Sequence, residues 1–138
     1  MRTDASTAHR ALGNGEYKAA TVLAGSVVES LLLWRLQALA RPERAVAVKK
    51  ANELRRNSKR SPVTQKELER YSLSEFIDVA EAAEVITGTL ASNLRTTNEY
   101  RNLIHPGRVL RSGADASQAT ALYALGGMEG LIEALGSR

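Results

Sequence analysis

From Tyr17 to about Ala40 the apolar residues Ala20, Leu23, Ala24, Val27, Val28, Leu31, Leu32 and Leu36 recur at steps of three and four, the period of one helical face. This spacing predicts a long central helix. Its Glu29 falls in that apolar neighbourhood, where an unpaired charge is costly, so it must reach the surface or meet a partner such as an arginine. Ahead of it a short helix is expected over Asp4 to Leu12, ended by Gly13, Asn14 and Gly15, residues that tolerate positive φ. Pro42 suits the first turn of a further helix running to about Arg56, and Asn57 to Pro62 reads as loop. Thr64 with Glu67, and Ser72 with Glu75, both have capping-box spacing and so mark two helix starts.

After Ser72 the residues Phe76, Ile77, Val79, Ala80, Ala83 and Ile86 predict an amphipathic helix that stops near Thr87 and Gly88. Another should run from Thr89 to about His105, with Leu90, Leu94, Leu103 and Ile104 inward and Pro106-Gly107 as terminator. Asp115 is the expected cap of a last helix, Ala116 to Leu135, in which Gly126, Gly127 and Gly130 either allow close helix contact or mark a kink. No internal repeat, Gly/Ser linker or long alternating stretch is present. The prediction is an all-α, up-and-down bundle of four to five main helices.

A length of 138 residues suits one domain over 1–138. With aromatics at only 4%, the core must be mainly aliphatic. The absence of Cys excludes disulfides and thiolate metal sites, and the first ten residues lack the apolar core of a signal peptide, so a cytoplasmic setting is expected. The apolar stretch Ala19 to Trp34 is interrupted by Glu29 and is shorter than the roughly 20 residues of a membrane span; it reads as a buried core helix, and no membrane partner is expected. Charge is unevenly placed: Arg35 to Arg70 holds 11 Lys and Arg against 4 Asp and Glu. Lys49, Lys50, Arg55, Arg56, Lys59 and Arg60, with Arg108, are the candidate nucleic-acid contacts. A solvated helix face and loop is the alternative explanation.

The only two histidines, His9 and His105, fall in separate helices outside any H-E-x-x-H pattern, and no phosphate-cradling P-loop is present, so neither metal nor cofactor is expected. Gly25-Ser26 lies mid-helix, where the hydroxyl is expected to bond a carbonyl one turn back. What remains is Asn98 to Arg108, a run of polar and ionisable groups at a helix end. Arg101 and His105 are four apart and so emerge one turn from each other on one face. Histidine exchanges protons near neutral pH, and arginine offers a planar cationic fork suited to phosphate. That pair fits metal-free RNA cleavage, in which the 2′-hydroxyl attacks the adjacent phosphorus while protons move and a cation stabilises the anionic phosphorus. From spacing alone the same residues fit helix capping better, since a cationic His in the last turn is favoured by the helix dipole.

Leu94-Arg95 and Tyr100-Arg101-Asn102-Leu103-Ile104-His105-Pro106 resemble the signature helix of the HEPN family. Glu16 to Ala20 with Leu23 to Leu32 resembles that family's long early helix, and Leu73 to Ala80 the helix before the motif; together the resemblance spans most of residues 8 to 135. It implies a four- or five-helix bundle, commonly a homodimer whose motif helices share one cleft. In catalytic members the cleft is a metal-independent endoribonuclease site, often in toxins and antiviral systems, which makes an antitoxin or other protein partner an expectation. By resemblance Arg101 corresponds to the motif arginine, His105 to the motif histidine and Asn102 to the polar residue after the arginine. Three residues separate Arg101 from His105, where the family's catalytic pattern has four to six. The alternatives are therefore a non-catalytic dimerisation or partner-binding module, and a basic nucleic-acid binder without cleavage.

Overall fold

A computed structural model describes residues 2–64, 66–103 and 117–136 of the chain. Six α-helices account for most of them: α1 (Arg2–Gly13), α2 (Tyr17–Gln37), α3 (Arg41–Asn57), α4 (Leu73–Ala82), α5 (Gly88–Leu103) and α6 (Gln118–Gly136), with a 3-10 turn at Leu68–Arg70. No strand occurs among the described residues. Helix α2 is the hub, packed against α1, α4, α5 and α6, while α3 joins the bundle mainly through α4. The predicted all-α bundle is thus present.

Helix α2, at 21 residues, is long and apolar enough to cross a membrane by length and composition. Its Ala20, Ala24, Val27, Val28, Leu31, Leu32 and Leu36 are buried against the other helices, as the three- and four-residue period predicts. Leu32, Leu36, Ile77, Leu94, Met128 and Leu131 are the bulkiest of the fully buried side chains, all aliphatic or methionine. Each contributes roughly 1.5–3 kcal/mol by leaving water. Ser26 Oγ donates to the Val22 carbonyl at 3.1 Å, the bond expected for a mid-helix serine.

Helix ends are where the chain departs most from its hydrophobic pattern. Helix α2 stops at Gln37 rather than near Ala40: Ala38 and Leu39 N–H turn back to the Arg35 and Leu36 carbonyls, and α3 already begins at Arg41 with Pro42 in its first turn. The Thr64/Glu67 pair starts no α-helix, because the chain there forms only the 3-10 turn. The Ser72/Glu75 box is complete: Glu75 N–H donates to Ser72 Oγ at 3.2 Å, and Ser72 N–H donates to Glu75 Oε1 at 2.9 Å. Helix α4 ends at Ala82, several residues before Thr87. Glu84 adopts φ 60°, which lets Val85 N–H reach the Ala80 carbonyl at 2.9 Å and Glu84 N–H the Glu81 carbonyl at 3.0 Å. This reversal still buries Val85 and Ile86, so their apolar character marks a packed turn and not a further helical turn.

Lys59 closes α3 in the same left-handed conformation (φ 58°), with Arg60 N–H on the Arg55 carbonyl at 2.8 Å. Thr87 Oγ1 accepts from Leu90 N–H at the start of α5, and Ser117 Oγ from Thr120 N–H at the start of α6. The expected cap Asp115 lies outside the described residues, as do Ile104 and the Pro106-Gly107 terminator. Of Gly126, Gly127 and Gly130 in α6, Gly127 faces α5 so closely that a Cβ there would meet Asn93 Oδ1 at 2.8 Å, whereas Gly126 has nothing within 4 Å.

Candidate functional site

The C-terminal turn of α5 carries Tyr100, Arg101 and Asn102. Arg101 lies across α2. Its stem rests on Gly25, where a Cβ would fall 2.8 Å from Arg101 Cδ, and its Nη1 stands 3.3 Å from Glu29 Oε2. Gly25 and Glu29 are one turn apart, so the glycine makes the groove and the carboxylate closes it. This is the arginine partner that Glu29 requires. Both side chains remain partly open to solvent, Arg101 at 25% and Glu29 at 34%. Tyr100 meets Tyr123 of α6 edge-on, with ring centroids 5.9 Å apart. Asn102 is exposed. His105 and Arg108 lie outside the described residues.

In the basic segment Lys49, Lys50, Arg56 and Lys59 are exposed, but Arg55 is not part of that surface. Arg55 sits on the buried stripe of α3 with Ala47 and Ala51, and its guanidinium is fully engaged. Its Nε donates to Asp78 Oδ2 at 2.7 Å, Nη1 to the Ser61 carbonyl at 2.8 Å and Nη2 to Ser74 Oγ at 3.1 Å. Arg60 reaches the same Asp78 oxygen at 2.9 Å while its side chain stays 41% exposed. From the other side Arg95 Nη2 and Nε donate to Asp78 Oδ1 at 2.8 and 3.1 Å, and Arg95 also pairs with Glu81. Desolvation would lower the Arg95 pKa, but Glu81 and Asp78 outweigh it and raise it further.

This second cluster is not apparent from motif spacing. A signal for it exists all the same: Asp78 stands in the apolar run Phe76-Ile77-Asp78-Val79-Ala80, and a carboxylate on the buried face of a helix requires partners. Nearby, Lys66 Nζ donates to Glu75 Oε1 at 2.8 Å. Burial would raise the Glu75 pKa, but the bonds from Lys66 and Ser72 prevail and lower it. Burial and the Glu75 charge push the Tyr71 phenol up. His9 Nε2 pairs with Glu129 Oε1 at 2.7 Å on the far side of the bundle. Among the described residues no three His, Asp or Glu side chains gather as a metal site. No family model, curated protein or solved structure matches the chain.

Proposed function

We propose that the chain is a HEPN-like helical protein that works as a homodimer and cleaves RNA without a metal ion, at a site built on the C-terminal turn of α5. The observation that carries this reading is the placement of Arg101: cradled on Gly25, oriented by Glu29 and still open to solvent, one helical turn in sequence before His105. An arginine held in this way is preorganised to receive a phosphate. In the reaction the 2′-oxygen bonds to phosphorus and the bond to the 5′-oxygen breaks. His105 moves the proton from the first oxygen or to the second, Arg101 stabilises the charge on phosphorus, and Asn102 orients the phosphate or the imidazole. Glu29 is a positioning residue for Arg101. A neutralising protein partner fits a toxin or antiviral role.

The test is cleavage of structured and single-stranded RNAs by the purified protein in EDTA, with its oligomeric state measured alongside. A dimer that leaves cyclic phosphate ends, and loses this activity in His105→Ala, is the expected result. A metal-free dimer inactive on diverse RNAs overturns the proposal.

One observation favours a second reading, a non-catalytic interaction module: the charge of Arg101 is already met by Glu29 within the same chain. Under it, Arg101→Ala has no activity to abolish and only loosens the contact between α2 and α5. A partly exposed pair of this kind contributes about 0–1 kcal/mol.

A further inference from the structure

We infer that Arg60 and Arg95, pinned by the buried carboxylate of Asp78, form a receptor for one phosphate of a bound nucleic-acid strand. The inference rests on the RNA reading for its ligand but not on cleavage. Three guanidiniums, Arg55, Arg60 and Arg95, converge on Asp78, and among the described residues only Glu81 joins it as a second carboxylate, so these five side chains together hold one positive charge in excess. Arg55 is buried and spent on Asp78, Ser61 and Ser74. Arg60 and Arg95 are different. Their side chains are 41% and 35% exposed, while Asp78 between them is 4% exposed.

Among the described residues, Arg60 meets only Asp78, through Nη2, and Arg95 engages Asp78 and Glu81 through Nε and Nη2, which leaves its Nη1 without a protein acceptor. Asp78 therefore acts as a fixed bracket that brings two partly open forks to one place, each with donors to spare. A phosphodiester carries the single negative charge that balances the excess, and its two non-bridging oxygens suit adjacent guanidiniums. The fold also prepares the bracket. The left-handed Lys59 ends α3 and turns Arg60 back toward Asp78, and leaves exposed Lys59 and Arg56 beside it to follow a strand's backbone.

The test is binding of a single-stranded RNA, with its 2′-hydroxyls methylated to prevent cleavage, measured across a salt series. Wild type, Arg60→Gln, Arg60→Lys and the remote Arg10→Gln are compared. Arg60→Gln should bind about tenfold more weakly, as expected for one charge-assisted contact, and its slope of log affinity on log salt should shrink by about 0.7. Arg60→Lys should restore the slope but not all of the affinity, and Arg10→Gln should match wild type. Unchanged affinity and slope in Arg60→Gln, or an equal loss in Arg10→Gln, overturns the inference; so does failure of the wild type to bind the strand. Stabilisation by inorganic phosphate alone, without strand binding, assigns the receptor to small phosphates and overturns the nucleic-acid ligand. Binding that behaves as expected in a protein that never cleaves RNA refutes the ribonuclease reading and leaves this one standing.

Discussion

Replacing Asp78 by Asn keeps the shape of the side chain and removes the charge on which three arginines rely. The carboxylate accepts hydrogen bonds from Arg55 and Arg95 and meets Arg60 as a third cation. Its loss falls hardest on Arg55, whose side chain is 8% exposed and has no other carboxylate among the described residues; only the Ser61 carbonyl and Ser74 Oγ remain. Stranding one partner of a buried pair costs roughly 3–5 kcal/mol. Arg60 adds about 0–1 kcal/mol because it is well exposed, and Arg95 keeps Glu81. A domain of this size has a total stability of about 5–15 kcal/mol. Asp78→Asn should therefore remove about a fifth or more of it and lower Tm by roughly 10–20 °C. Urea unfolding followed by circular dichroism at 222 nm measures the change, and an apolar double variant, Asp78→Leu with Arg55→Met, should recover part of the loss. A loss below about 1 kcal/mol in Asp78→Asn would refute the view that this carboxylate anchors α3, α4 and α5.

Gly127→Ala should destabilise by about 1–3 kcal/mol, because its Cβ would meet Asn93 Oδ1 at 2.8 Å and Leu94 Cδ2 at 3.3 Å, whereas Gly126→Ala, in open space, should gain up to about 1 kcal/mol; thermal melts of the two variants give the comparison. Gly25→Ala should displace Arg101 from Glu29 and reduce RNA cleavage as Arg101→Ala does, while stability stays within about 1 kcal/mol of wild type; full activity in Gly25→Ala would show that the cradle is irrelevant. Glu75 has a lowered folded-state pKa, so the stability it supplies is present above its ordinary value of 4.5 and is lost as pH falls through the lowered value. Glu75→Gln should accordingly be less stable than wild type at neutral pH by about 1 kcal/mol, and the two unfolding curves should converge in acid below pH 4.5; a gap that persists at low pH contradicts the assignment.

Much of the bundle is legible in the chain because burial of aliphatic side chains imposes a period that survives any particular packing. The stripe from Ala20 to Leu36, the capping box at Ser72 and the stop at Gly15 are local statements, set by the repeat of one helix or by side chains within four residues of each other. Glu29 belongs to this class in part: a charge among apolar neighbours demands a partner, and an arginine supplies it. The identity of that arginine is another matter. Arg101 is 72 residues away, and only the crossing of α5 over Gly25 brings it there.

The same distinction separates the arginines of the basic segment. In sequence Arg55, Arg56 and Arg60 look alike, yet Arg55 is drawn inward and Arg60 to its margin by Asp78, while Arg56 stays outside. Gly126, Gly127 and Gly130 of α6 divide on whether α5 lies against them, and Ile86 is buried by a left-handed turn at Glu84 instead of a longer helix. Helical periodicity and caps are short-range, so the order of residues alone determines them. Which charges meet, which glycines touch a neighbour and where a helix turns back depend on contacts between segments far apart in the chain, and those exist only once the helices have packed.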